Sequence, residues 1–129
     1  MAAPQRLWIP GRLPGLNEVI AAAKGRGGRG HAYATMKRDI GEMVWALCKS
    51  ARLVPVKRAR LAFLWAEKDR RRDPDNVSSA GRKFILDGMV KAGVLAGDGW
   101  AAIAGWSDAF QVGARHGVEV TILEVTDAA

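Results

Sequence analysis

Asp73-Pro74-Asp75 is the run of this chain best suited to chemistry. Positions i and i+2 of an extended segment point to the same side, so both carboxylates would face one point in space. Carboxylates that close repel one another unless a proton or a cation lies between them. Hard oxygen donors with few nitrogen or sulfur neighbours suit Mg2+ or Mn2+. Pro74 cannot donate to a strand ladder, which places the pair at a strand end or edge, where a site can open. The plainer use of such a run is a solvated turn or a helix cap. A third aspartate, Asp98, lies between Gly97 and Gly99. Spacing alone does not return it to the pair. Asp87 is expected to be more remote, about three turns into the intervening helix.

The neighbours of these acids fit a phosphate ester. Arg70, Arg71 and Arg72 precede the pair and a helix N-terminus follows it. Free N–H groups and the helix dipole favour anions there. Lys83 stands two turns along that helix, within reach of a phosphoryl oxygen, and the metal, the lysine and the helix end would together stabilise the charge of phosphoryl transfer. The chain has 129 residues and a net charge of +7. Residues 1–72 hold 16 Lys/Arg against 5 Asp/Glu, and residues 73–129 hold 4 against 8, so the sign changes from +11 to −4 at Asp73. A basic half of this kind points to a polyanionic partner.

The elements that must position these residues are legible as a single domain over 1–129. Arg6 to Ile9 reads as a short strand closed by Pro10. Pro14 to Asn17 is a turn into a helical stretch, Glu18 to Lys24, and residues 24–31 read as a flexible basic loop. Thr35 to Ala51 carries Met36, Ile40, Met43, Val44, Leu47, Cys48 and Ala51 at helical spacing, with Thr35 as N-cap. Arg58 to Glu67 is apolar on both faces, which predicts a central strand covered on both sides. Asn76 is the expected N-cap of the next helix, whose apolar side runs from Val77 to Ala92 and which Gly93 terminates. Ile103 to Val112 and Val118 to Val125 read as an antiparallel hairpin around Gly113 to Gly117. The expected class is α+β, with a mixed sheet of about four strands and two main helices.

Other features have bland readings. Cys48 lies on the apolar stripe and is expected to pack. His31 and His116 sit in polar loops without ligand spacing and are expected at the surface. The tryptophans are mostly core candidates. Trp100 and Trp106 lie near Asp98 and are expected to pack, with contact to a nucleobase as the other use.

Taken together, the order and spacing of these runs resemble the RusA Holliday junction resolvases, a family typical of phages and prophages. The resemblance is carried by Arg72-Asp73-Pro74-Asp75-Asn76, Lys83 to Gly88, Lys91 to Leu95 and Asp98-Gly99-Trp100. Pro14 to Asn17 and the basic loop after it match the family's opening segment. The similarity extends from about Leu7 to Val125. It implies a homodimeric endodeoxyribonuclease that resolves four-way DNA junctions. Asp73, Asp75 and Asp98 would hold Mg2+ or Mn2+, and the family's essential lysine would fall on Lys83. The stretch from Asn76 to Arg82 is about one helical turn longer than in the founding members. Only Asp98 stands where the family often has two acidic residues. Lys24, Arg26, Arg29, Lys37, Arg38, Arg70, Arg71 and Arg72 would contact the DNA backbone, with steep salt dependence.

Several classes are excluded or disfavoured. The chain is too short for separate cofactor and substrate domains, so no organic cofactor and no D-x-D nucleotide-sugar transferase is expected. No apolar run reaches the roughly 20 residues of a membrane span. Residues 1–10 lack the apolar core of a signal peptide, and one cysteine permits neither an intrachain disulfide nor a Cys-based zinc site. The expected compartment is the cytoplasm. The alternative reading is a non-catalytic protein that binds junctions or branched DNA.

Overall fold

The computed structural model describes residues 3–24 and 31–126. Seven elements follow in chain order: β1 (Gln5–Pro10), α1 (Leu16–Ala23), α2 (His31–Ser50), β2 (Ala59–Glu67), α3 (Pro74–Lys91), β3 (Ile103–Val112) and β4 (Gly117–Glu124). They form a small α+β domain with one four-stranded mixed sheet and three helices, as expected. Arg26, Arg29 and most of the 24–31 loop lie outside the described residues.

The sheet order is β1-β4-β2-β3. β2 pairs antiparallel with β4 on one side and parallel with β3 on the other. The expected β3–β4 hairpin is therefore not formed. The two strands flank β2 instead of pairing with each other. The glycine-bounded loop between them reads locally as a hairpin turn, but β2 takes the place between the strands. Gly113 N–H donates to Glu67 O (2.9 Å) as the chain passes the end of β2. α3 is the crossover that a parallel β2–β3 pair requires.

One face of β2 is open over the first half of the strand, contrary to the two-sided reading, and becomes covered only toward Ala66. Ala59, Leu61, Phe63 and Trp65 are buried, whereas Arg60 and Ala62 are exposed on the opposite face. Ala62, Leu64 and Ala66 on that second face give the strand its uniformly apolar look. Phe63 and Trp65 stack at 5.6 Å, and each buried side chain of this size contributes about 1.5–3 kcal/mol.

α3 packs against both the sheet and α2 through close contacts at glycines. A Cβ on Gly81 would lie 2.8 Å from the Trp65 ring, and one on Gly88 would lie 2.5 Å from Val44 Cβ. α2 turns Ile40, Val44 and Cys48 inward, as its periodicity predicts. It begins by His31, so Thr35 lies within the helix and is not its N-cap.

α3 begins three residues before its predicted start. Asp73 is the N-cap and Pro74 the first helical residue. Proline suits that position because its fixed φ is helical and its missing N–H would have no partner. Asn76 serves elsewhere, accepting Asn17 N–H at Oδ1 (2.9 Å) and so tying the start of α1 to α3. The other end of α3 closes as expected: Gly93 has φ 79°, its N–H reaches Val90 O, and Val94 N–H reaches Met89 O.

Only one of the five tryptophans, Trp65, is in the core. Trp45, Trp106 and above all Trp100 are exposed, and Trp8 is half-buried under the Arg115 guanidinium. The expectation of packing fails for Trp100, which lies in a turn outside the sheet. Cys48 is buried as expected, and burial pushes its thiol pKa up to about 11.

Candidate active site

α3 carries most of the candidate chemistry along one outer flank. Asp75, Ser79, Lys83, Asp87 and Lys91 recur every four residues, the spacing of neighbours on a helix surface. The flank is exposed or half-buried throughout, while Val77, Ala80, Phe84, Ile85 and Met89 fill the inner side.

Lys83 is the centre of this flank. Its Nζ donates to Asp98 Oδ2 at 2.8 Å and meets Asp87 Oδ1 at 3.1 Å. The hydrogen bond to Asp98, then that to Asp87, raises the Lys83 pKa, so the amine stays charged. The same contact with Lys83 holds the Asp98 carboxyl below its ordinary value. Asp87 is remote from Asp73 and Asp75, twelve residues beyond Asp75 on α3, but it joins Lys83. It is i+4 from Lys83, and that spacing is the signal in the sequence that would have found it.

Asp73 and Asp75 stand at the other end of α3. As N-cap and second helical residue they do not share an extended segment, so the same-side argument for the pair fails once the helix begins at Pro74. Asp75 is eight residues before Lys83, about 12 Å along the axis. Among the described residues, no three His, Cys, Asp or Glu side chains are gathered to hold a metal ion. The chain therefore brings together Lys83, Asp87 and Asp98, and separately Asp73 and Asp75. A three-carboxylate ion site built from Asp73, Asp75 and Asp98 does not fit this arrangement of a single chain, in which Lys83 already supplies positive charge to Asp98.

The basic residues divide by role. Arg70 and Arg71 are exposed, with Arg71 only 3.7 Å from Asp69. Arg72 differs from the sequence expectation of a DNA contact. Its side chain is 11% exposed, its Nε and Nη2 donate to Glu67, and its Nη1 donates to Leu13 O. It is a clamp between the end of β2 and the N-terminal turn. His116 joins this clamp at 3.0 Å from Glu67 and is not the free surface residue expected. Lys24 is exposed after α1, and Lys37 and Arg38 are exposed on α2. With Lys91 and Asp87, Lys37 and Arg38 line a shallow groove of about 350 Å³ between α2 and α3.

A second network lies beside the first. Trp65 Nε1–H donates to Asp108 Oδ1 (2.9 Å), and Arg82 Nη2 donates to Asp108 Oδ2 (3.0 Å). The Arg82 guanidinium also lies 4.9 Å over the Trp106 ring. Sequence reasoning did not find this group. It depends on the parallel register of β2 and β3, in which Phe63 is opposite Asp108.

Comparison with known proteins does not extend these observations: no protein-family model matches the chain, and no curated protein matches it. No helix among the described residues is long and apolar enough to cross a membrane.

Proposed function

We propose that this protein is an endodeoxyribonuclease that resolves four-way DNA junctions, acting as a homodimer in the cytoplasm and dependent on Mg2+ or Mn2+. The observation that carries the reading is the Asp98–Lys83–Asp87 group, a solvent-facing acid–lysine cluster flanked by Lys37, Arg38 and Lys91. Exposed carboxylates in a basic surface weaken the grip on DNA, and a binding role gives no reason to keep them. The ordered resemblance from Arg72 to Trp100 supports the same reading.

In this proposal the chain's own residues act on the phosphodiester as follows. Lys83, held protonated, places positive charge against the non-bridging oxygens as charge builds on them. Asp98, with its lowered pKa, is a weak base and so orients Lys83 more than it removes a proton. The N-terminus of α3 offers backbone N–H groups beside Asp73 and Asp75 to a neighbouring phosphate. Two symmetric strands at a junction call for two copies of the chain.

The test is a synthetic four-way junction incubated with the protein, with and without Mg2+ or Mn2+. Paired nicks across the junction are expected only with the ion, and their absence at every ion concentration would overturn the reading. A second reading, a non-catalytic junction-binding protein, is favoured by one observation, the lack of a three-carboxylate group among the described residues. Asp98→Asn, which removes the acid that orients Lys83, separates the two: the nuclease loses cleavage and keeps binding, whereas the binder has no cleavage to lose.

A further inference from the structure

The sheet has two edges, and they are built differently. β1, at one edge, is six residues long, carries the exposed Arg6 and ends at Pro10. Charge, proline and short length are features that keep an edge strand from pairing with another chain. β3, at the other edge, has ten residues and β2 as its only strand neighbour among the described residues. Its register with β2 is regular from Gly105 to Val112, and the irregularity lies before that stretch. From Trp106 to Val112 every residue but Asp108 is exposed.

The backbone of this stretch is open on one side. Gly113 N–H donates to Glu67 O, which marks the odd-numbered residues as those turned toward β2. Directions alternate along a strand, so Trp106, Asp108, Phe110 and Val112 turn their N–H and C=O groups outward. Another extended backbone is the partner that matches such a row. The side chains do not guard it. Trp106, Phe110 and Val112 are 51%, 42% and 49% exposed, and the strand contains no Lys, Arg, Glu or Pro. Its one charge, Asp108, is paired with Arg82 and accepts the Trp65 N–H on the helix side.

We propose that β3 is a dimer interface: a second copy of the chain adds its own β3 antiparallel, about a two-fold axis at Ala109, and joins two four-stranded sheets into one. Charge selects the occupant. Two copies that each carry +7 repel wherever cations face outward, and this edge is a stretch that carries none. The same neutrality gives an acidic or a basic foreign strand nothing to recognise. Symmetry sets the register. Opposed residues share a face of the sheet, so even numbers must pair with even and odd with odd. An axis at Ala109 sets Phe110 opposite Asp108 and Val112 opposite Trp106, which gives all four outward-turned residues a partner. An axis at Asp108 would set two aspartates against each other, and like charges disfavour that. The proposal rests on the homodimer of the reading above and names its surface, and it does not depend on cleavage.

The test is sedimentation equilibrium at micromolar protein, together with introduced cysteines. The wild type is expected as a dimer. Ala109 is exposed on the face away from the helices, beside Leu64. Ala109→Lys therefore sets two lysines face to face without entering the core, and should halve the sedimenting mass with the unfolding curve unchanged. Ala109→Cys should form an intermolecular disulfide under mild oxidation, because opposed Cβ atoms lie about 4.5–5.5 Å apart. Ser107→Cys should not, since its counterpart would be four residues out of register, about 13 Å away. Cys48 is buried and does not compete. A monomeric wild type overturns the proposal. So does a dimer that survives Ala109→Lys, or one that crosslinks through Ser107→Cys and not Ala109→Cys. Assembly beyond the dimer means a heterologous contact and also overturns it. The two readings fail separately. A dimer that is lost in Ala109→Lys but nicks no junction refutes only the nuclease. A dimer that nicks junctions and is indifferent to Ala109→Lys refutes only this interface.

Discussion

Lys83 shows how a single side chain sets the charge state of a site. Two carboxylates, Asp98 and Asp87, lie within 3.1 Å of its amine. The cation between them offsets the repulsion of two carboxylates in close proximity. The Asp98 pairing is intact above the ordinary carboxyl value of 3.8 and is lost as pH falls through the lowered one. On the alkaline side it persists until pH passes the raised pKa of Lys83. We expect the Asp98 carboxyl, followed by NMR, to titrate below 3.8 in the wild type and to return toward that value in Lys83→Met. Asp98 is exposed, so this measures charge without disturbing the fold. Cys48 is the opposite case. With its pKa pushed up to about 11 and its sulfur buried, it should resist a thiol reagent at neutral pH and react once denaturant opens the helices. Modification at the same rate in native and denatured protein would contradict that placement. At this scale the sequence revealed residue types well. The meeting of Asp98 with Lys83 depends on a turn that spacing leaves unplaced, but the packing role of Cys48 is legible from periodicity. The inward turn of Arg72 is not, because its partner Glu67 is fixed by where β2 ends and not by any local pattern.

Among the elements, the helices were easier to read than the sheet. The apolar stripes of α2 and α3 repeat within one turn, so burial of Val44 or Met89 follows from local spacing. Strand pairing is nonlocal, and a glycine-bounded loop between two β runs reads as a hairpin whether or not another strand comes between them. The start of α3 was legible but misread: an Asp-Pro step is a good helix entry, with proline at the first helical position. Helix contacts give two tests by denaturant unfolding. Gly88→Ala would gain helix propensity, yet its new Cβ would meet Val44 Cβ at 2.5 Å, an atom next to the backbone that cannot swing aside. We expect a net destabilisation of about 1–3 kcal/mol, against the usual gain of alanine over glycine in a helix. Arg52 ends α2 with φ 54°, its N–H on Lys49 O and Leu53 N–H on Cys48 O. A left-handed residue there suits glycine, so Arg52→Gly should stabilise the fold by up to about 1 kcal/mol. A loss of stability in Arg52→Gly would mean that the arginine side chain matters more than its backbone strain.

For the whole molecule, the surface charge is set by how α2 and α3 lie against one another. The split between a basic first half and an acidic second half does not survive folding as two separate faces. α2, from the basic half, packs against α3, from the acidic half, so Lys37 and Arg38 border Asp87 and Lys91 across one shallow groove. The aspartates are thereby set into a basic border, the arrangement needed to hold a polyanion while keeping carboxylates at its backbone. If the proposed function holds, Lys37 and Arg38 contact phosphates and not bases. Their contribution is then counterion release, which is the same for every sequence and falls as salt rises. The expected result for Lys37→Gln/Arg38→Gln is weaker binding to a four-way junction by a similar factor for unrelated arm sequences. The slope of log K against log salt should flatten by about 0.9 for each phosphate contact removed, close to 2 for the pair. Arg72→Gln should behave differently. Its charge is spent on Glu67 inside the molecule, so the variant should lose stability and leave the salt slope unchanged in whatever fraction stays folded. A salt slope that ignores Lys37 and Arg38 but responds to Arg72 would mean that the DNA lies on another face of the molecule than the one bearing Lys83 and Asp98.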